Sequence, residues 1–358
     1  YETMRLINKL TNRSWATVLN DEPLHAETTS ESDQLINTYF TAPITQAPEQ
    51  LPANPHHGIR PSDEQPRDAL DLTVFNHHAE TYLSTVSNPL ESRRKTTRTS
   101  HLLAAGQISL RYLHKVIRDD HGDHPVLNRL RWNLRFKQKH QHYPELRSTP
   151  INPYFEDETP YDPDPAVFNA WTNGTTGYPL VDASMRCLNQ TGYLNFRMRA
   201  LTASFLTHIL RQPWWEGAAY MHKQLIDAEP AINHYQWQMQ SNVIGSHPLR
   251  IYNPTKQARE HDSNAAFIKR WVDELNDAKP EHAIEPWNQQ SPPKTYPERI
   301  ARYDDEQRRT TDWFAKREAR ITDGLLNEGA KPLLSERSKE RLQRKHEKHG
   351  NDSLTNYT

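Results

Sequence analysis

The chain has 358 residues, of which 35% are hydrophobic, and a formal net charge of −1. That length supplies ample core for one large domain or two smaller ones, and a balanced charge argues neither for nor against a nucleic-acid partner, so any electrostatic surface must be local. The single cysteine, Cys187, excludes intrachain disulfides, CxxC zinc sites and cysteine-held iron–sulfur clusters, and no apolar run approaches the ~18 residues of a membrane span.

In chain order, residues 1–66 are polar and carry Pro43, Pro48, Pro52, Pro55, Pro61 and Pro66, which predicts an extended linker rather than a packed domain. No signal peptide is legible, a cytoplasmic location is expected, and a chain that opens on Tyr1 rather than Met is expected to be a fragment. Leu70, Leu72, Val74, Phe75 and Leu83 give a helical pattern over 69–86. A hydroxyl-rich loop, Thr96-Thr97-Arg98-Thr99-Ser100, then feeds an apolar helix start. It suits a phosphate, or equally an ordinary N-cap made by Thr99 or Ser100. From Val126 to Tyr143, Arg129, Arg131, Arg135, Lys137 and Lys139 interleave with Trp132 and Phe136. This is either a DNA-facing surface or the solvated face of an amphipathic helix. Asp164-Pro165 is a cap-plus-first-turn signal for a helix into Trp171.

Pro179 opens a helix with Leu180, Val181, Met185 and Leu188 in register and Gly192 as its stop. Met198, Leu201, Phe205, Leu206, Ile209 and Leu210 make a wider apolar stripe, on which Arg199 needs a partner if it is buried. Asp227 and Glu229 are the partners nearest in type; a structural ion pair, or an Arg with a buried stem and a wet head, is the alternative. A further helical segment around Ala218–Leu225 is followed by Asp227, Glu229 and Asn233, and Pro230 predicts a helix end or restart among them. Dense aromatics, one buried-looking Arg and this polar cluster point to a pocket for a large flat cofactor. Asp262–Leu275 and Asp304–Ile321 read as helices, and the charged tail 335–349 as a solvated helix or disorder. The nineteen histidines, among them the pairs His56-His57, His77-His78, His121 with His124 and His140 with His142, lack a third ligand at metal-site spacing, so no metal is expected. No GxSxG, HExxH or Walker A pattern occurs, NGTTGYP lacks the P-loop Lys, and no internal repeat is found.

The stretches WTNGTTGYPLVDASMRCLNQTGY, RMRALTASFL, WWEGAAYMHKQLIDAEPAIN, WQMQ and RIYNP, continuing into FIKRWVDEL and EPW, resemble the FAD-binding domain of the DNA photolyase/cryptochrome family. Upstream, TTRTSHLLAAGQIS is similar to the family's phosphate loop. The resemblance covers roughly 69–303 and implies an all-α helical FAD-binding domain at 67–303. On this resemblance the family's N-terminal α/β antenna domain is expected to be missing from this chain, with 1–66 as its trailing linker and 304–358 as a charged helix and tail. It implies FAD held at its phosphates by Thr96, Thr97, Thr99 and Ser100, with Tyr82 as a further contact, Trp132 as a pocket Trp, and Arg199 and Asp227 paired over the flavin. Glu229 stands as a second acid and Asn233 beside flavin N5, where Asn favours the protonated flavin. Trp237 and Trp214 match the inner members of the family's electron relay, and Tyr161 stands at the position of the outer one.

Where the family has a lesion-contacting acid, this chain has Arg129. Phe196, Ala200 and Met239 replace other usual residues there, and Thr99 and His101 replace a usual Leu and Pro in the phosphate loop. The resemblance therefore implies blue-light-driven electron transfer, either as repair of a flipped pyrimidine dimer, with Arg129, Arg135, Arg197 and Arg250 on DNA phosphates, or as a cryptochrome-like sensor with a protein partner. A degenerate domain without FAD is the third reading, and the retained Arg199, Asp227 and Asn233 argue against it.

Overall fold

The computed structural model describes residue 70 and residues 72–289, 293–326 and 339–344. The expected linker at 1–66 and most of the tail at 335–349 lie outside the described residues; within that tail, 339–344 are helical. The described residues are helical, with no strand among them, and no helix among them is long and apolar enough to cross a membrane. The described residues divide into two units: one holds those up to Val86, Glu91–Pro144 and Ile226–Ile232, the other Ser87–Leu90, Glu145–Leu225 and those from Asn233 on.

The first unit contains α1 (Thr73–His78), α2 (Tyr82–Thr85), α3 (Glu91–Lys95), α4 (Ser100–Ala104), α5 (Leu110–His121) and α6 (Pro125–His142). The pattern over 69–86 thus divides, α1 and α2 being joined by a 3-10 turn at Ala79–Thr81. Helix α5 is sharply amphipathic: Leu110, Leu113 and Ile117 are buried on one face against Phe75, Tyr82, Leu127, Leu130 and Leu134. Each such side chain contributes roughly 1.5–3 kcal/mol of burial. His121 and His124 are structural. His124 Nδ1 accepts the Val126 N–H at 3.2 Å as the N-cap of α6, so Nε2 carries the proton and donates to Ala79 O at 3.0 Å. Both rings lie edge-on to Phe75, at 5.4 and 5.2 Å.

The second unit contains α7 (Tyr154–Asp157), α8 (Pro165–Asn173), α9 (Pro179–Thr191), α10 (Phe196–Ser204), α11 (Trp214–Gln224), most of α12 (Pro230–Gln240), α13 (Pro254–His261), α14 (Ala266–Trp271), α15 (Pro280–Ile284), α16 (Tyr303–Ala315) and α17 (Glu318–Leu326). Helices α8, α9, α12, α13 and α15 all open on proline, where the missing N–H costs nothing and φ is already helical. Helix α9 is its centre, packed on α8, α10, α13 and α14. Asp182, wholly buried on α9, accepts from Thr176 N at 2.8 Å, Thr176 Oγ1 at 2.6 Å, Gly177 N at 3.0 Å and Tyr296 Oη at 2.5 Å. NGTTGYP is therefore a loop tied to a carboxylate. At Gly177, with φ +79°, a Cβ would stand 2.4 Å from Glu298 O. The apolar stripe beginning on α10 continues past Ser204 as a π-helical turn, Phe205–Ile209.

Two expected helices are shorter than their patterns. Over 262–275 the helix spans only Ala266–Trp271, because Ala265 turns left-handed (φ 55°) and the Asp262 carboxylate takes the Phe267 and Ile268 N–H groups at 2.9 and 3.0 Å. The span 304–321 breaks between α16 and α17 at Lys316-Arg317. There Arg317 Nε and Arg320 Nη1 each reach the Glu158 carboxylate at 2.7 Å, while the Arg317 guanidinium lies over Trp313.

Candidate functional site

Within the first unit, the loop between α3 and α4 carries the expected phosphate-binding hydroxyls. Thr96 Oγ1 donates to Ser92 O at 2.7 Å, and Thr99 Oγ1 donates to Thr97 Oγ1 at 3.0 Å. Thr97 therefore keeps its own hydroxyl proton for an outside acceptor. Thr99 stands at the N-cap of α4 but makes no side-chain capping bond, so the ordinary N-cap reading fails for it, and Ser100 is the exposed first residue of that helix. Arg98 holds a left-handed backbone, φ 52°, a conformation costly for a non-glycine residue. Arg93, Arg94 and Lys95 end α3 just before the loop. Asp227, from the 226–232 segment of the same unit, faces His101: burial chiefly lowers the imidazole pKa, Asp227 opposes that shift and Arg98 adds to it.

Helix α6 faces the same segment. Arg129, Asn133 and Lys137 recur at every fourth residue, hence on one face. Arg129 lies against the hydroxyl of Tyr82, whose pKa burial raises and whose ring belongs to the core. Lys137 Nζ and Glu229 Oε2 form a buried ion pair at 3.3 Å. The solvated-face reading of α6 therefore fails at Lys137 and at Gln138, both buried. Burial, then the charge of Arg135, lowers the Lys139 ammonium to about 8. Trp132, by contrast, is 40% exposed, with Phe136 at 5.7 Å and the Arg135 guanidinium 5.1 Å from its ring.

In the second unit, Arg199 is half-buried rather than buried; its Nε donates to Leu194 O at 2.8 Å and its guanidinium lies 5.9 Å from the Tyr193 ring. Asn233 Nδ2 donates to Ala218 O at 2.9 Å, which fixes the amide on α11. Glu229, weighed as a partner for Arg199, is ion-paired with Lys137 of its own unit.

The aromatic residues of this unit form two chains of ring contacts. Trp237 meets Trp171 at 6.1 Å, and Trp171 meets Tyr220 at 5.8 Å. Trp214 meets Trp215 at 6.1 Å, and Trp215 meets Tyr161 at 5.6 Å. Trp237 and Trp214 are buried, and Trp215 is 39% exposed. The Tyr161 hydroxyl faces Ser241 and the Trp214 backbone without closing a hydrogen bond, and burial pushes its pKa well up. Trp215, which sequence reasoning did not single out, adjoins both Trp214 and Tyr161. Sequence reasoning also missed the pairing of Lys137, whose place on a basic helix gave no hint of burial. Arg197 lies near Phe196 and Tyr252, and Arg250 is exposed.

The donor set of the first unit fits a phosphate-bearing cofactor. Hydroxyls and cations crowd one loop, and the Ser92 hydroxyl and Asn133 Oδ1 are buried without a protein partner, as groups that a polar ligand satisfies would be. Among the described residues no group of three or more His, Cys, Asp or Glu could hold a metal ion.

Residues 126–316 match the family described as the FAD binding domain of DNA photolyase. The chain is 37% identical over 201 residues to the deoxyribodipyrimidine photo-lyase of Escherichia coli, covering 54% of this chain and 43% of that protein. It is 34% identical over 210 residues to the cryptochrome DASH of Natronomonas pharaonis, covering 57% and 44%. Its fold is similar to the class III photolyase of Agrobacterium tumefaciens (TM-score 0.68, 26% identity, 85% of this chain and 76% of that one). It is also similar to the archaeal photolyase of Sulfolobus tokodaii (TM-score 0.63, 29% identity, 71% and 57%). The helical fold and the match over 126–316 thus define a flavin-binding helical domain. The chain belongs to the photolyase FAD-binding domain family, whose cofactor is FAD. It spans less than half the length of the two sequence relatives named here.

Proposed function

We propose that this chain holds FAD and carries out blue-light-driven electron transfer for the repair of pyrimidine dimers in DNA. The observation that carries this reading is the buried tryptophan set, Trp237 and Trp214, with an exposed neighbour, Trp215, in ring contact with Trp214. Each of the two begins its own chain of ring contacts, Trp237 through Trp171 to Tyr220 and Trp214 to Trp215, along which an electron would pass between a buried acceptor and the surface. Bound FAD supplies light-driven one-electron chemistry.

The chain's own residues bind and orient it. Thr96, Thr97, Thr99 and Ser100 hold the phosphates beside the cations of α3, with Tyr82 and Trp132 as further walls. Arg199 pairs with Asp227, Glu229 acts as a second acid steadied by Lys137, and Asn233 contributes a neutral amide that adds no negative charge beside the ring system. Trp237 and Trp214 pass electrons outward. Tyr161 is the poorer outlet, because an oxidised phenol must lose a proton and no acceptor is bonded to it. Arg129, Arg135, Arg197 and Arg250 hold DNA phosphates, which makes binding salt-dependent. A cytoplasmic location fits this work.

A cryptochrome-like sensor with a protein partner is the second reading. It is favoured by the similarity to a cryptochrome DASH and by Arg129, which is engaged with Tyr82 where the resemblance leads one to expect an acid.

The deciding experiment is the absorption spectrum of the purified chain with added FAD, followed under blue light with a reductant and then with ultraviolet-damaged single-stranded DNA. Flavin bands that bleach, with recovery of intact pyrimidines, establish repair. Bleaching without repair establishes the sensor. A chain that takes up no FAD overturns both. Asp227→Ala is expected to lose FAD, and full occupancy in that variant would refute the Arg199–Asp227 assignment.

A further inference from the structure

Tyr220 on α11 ends the chain of ring contacts that starts at Trp237, and bonds outside the chain hold its rings in place. Trp171 is wholly buried and donates its Nε1 proton to Thr202 O at 3.2 Å. It meets Trp237 at 6.1 Å and Tyr220 at 5.8 Å, with interplanar angles of 78° and 64°, within the range of direct edge-to-face contact. Gly217 stands three residues before Tyr220, on the same face of α11, and its lack of a Cβ lets that helix approach Trp237. Phe168 packs beside both partners, its ring 5.8 Å from Trp171 and 6.4 Å from Tyr220.

The hydroxyl of Tyr220 has what a phenol needs in order to lose a proton on oxidation. Its Oη donates to Asn189 Oδ1 at 2.7 Å. That oxygen is turned towards Tyr220 because Asn189 Nδ2 donates to Thr172 O at 2.7 Å. Tyr220 is half-buried and Asn189 is exposed, so the bond opens on water. Tyr161 is the contrast: its hydroxyl is buried and closes no hydrogen bond. An oxidised phenol sheds its proton, and the neutral radical left behind regains its electron only by recovering a proton as well. An indole radical cation can be refilled by an electron alone. Of the three rings in this chain, Tyr220 combines an oxidisable ring, a bonded acceptor and a path to solvent.

We propose that Tyr220 is a terminal electron donor of this unit, passing one electron through Trp171 to Trp237, releasing its hydroxyl proton to water and coming to rest as a neutral tyrosyl radical. The proposal deepens the light-driven reading above and rests on it for the oxidant. Trp237 gives one electron to the excited flavin, Trp171 refills Trp237, and Tyr220 refills Trp171. Both indoles end unchanged. No bond forms, and the one bond that breaks is the Tyr220 O–H, whose proton leaves past Asn189 to water while one electron leaves inward.

The test is electron paramagnetic resonance of the FAD-loaded chain, frozen during blue illumination without added reductant, with flavin bleaching recorded on the same sample. The unaltered chain is expected to give a tyrosyl signal that narrows when the protein carries ring-deuterated tyrosine. Tyr220→Phe and Trp171→Phe are each expected to lose that signal, and Tyr161→Phe to keep it. Tyr220→Phe removes one oxygen and leaves the ring contacts, so FAD stays bound. Asn189→Asp keeps Tyr220 and puts a base at the accepting atom, so the radical is expected to form faster, a gain that a folding defect does not produce. A tyrosyl signal that survives Tyr220→Phe or Trp171→Phe, a tryptophanyl signal alone in the unaltered chain, or an unchanged rate in Asn189→Asp refutes the Tyr220 assignment while light-driven electron transfer stands. If the flavin bands of the unaltered chain do not bleach, the assignment falls together with the light-driven reading.

Discussion

Lys137 Nζ and Glu229 Oε2 meet at 3.3 Å, with both side chains almost wholly withdrawn from water. Desolvating two charges consumes most of what their attraction returns, so the pair contributes little net stability, yet removing one partner strands the other. Glu229→Ala is expected to destabilise the first unit by about 3–5 kcal/mol, and Lys137→Met combined with Glu229→Leu to recover most of that. Urea unfolding of the single and double variants checks both. If Glu229 also serves the cofactor, the double variant regains stability without regaining FAD.

The outlet of the electron relay is open to a direct comparison. Trp237→Phe should abolish photoreduction of bound FAD, and Trp215→Phe should slow it severalfold. Tyr161→Phe should leave it nearly unchanged, because the buried phenol has no bonded proton acceptor. Bleaching of the flavin bands under blue light measures all three. A slow Tyr161→Phe beside an unaffected Trp215→Phe would return the outlet to Tyr161.

Gly217 lets α11 lie directly on Trp237. A Cβ there would stand 2.3 Å from Trp237 Cη2 and 2.5 Å from Leu206 Cδ2. Gly217→Ala gains up to ~1 kcal/mol of helix propensity, but overpacking costs about 1–3 kcal/mol. The expected result is a net loss of stability together with a shifted tryptophan emission spectrum. Thermal unfolding and fluorescence of the variant test this.

His208 sets an acid limit. It is fully buried, its Nε2 bonds Gln240 O at 2.9 Å, and burial lowers its pKa from 6.5 to about 4. As pH falls from 6.5 towards 4, the unfolded chain takes up a proton that the folded chain refuses. Stability is therefore lost across that window and the loss levels off below it, reaching on the order of 3 kcal/mol. Urea midpoints between pH 7 and pH 4 should show this slope, and His208→Gln should reduce it.

Much of the helical plan was determined by the sequence alone, because its signals act over a few residues. Pro179 and Gly192 bound α9, and Asp164 Oδ1 accepts the Ala166 N–H at 2.8 Å at the start of α8. Pro230 restarts a helix where it was expected to. Caps, proline φ and apolar spacing need only the neighbours that the chain supplies. Tertiary structure decided where distant groups compete for the same backbone or charge. Glu158 gathered Arg317 and Arg320 at the break between α16 and α17. Lys137 found Glu229 across the fold. The ring contacts of Trp215 with Trp214 and Tyr161 were likewise a matter of packing. Apart from the neighbours Trp214 and Trp215, none of these partners is within one helical turn of the other, so no local pattern could encode them.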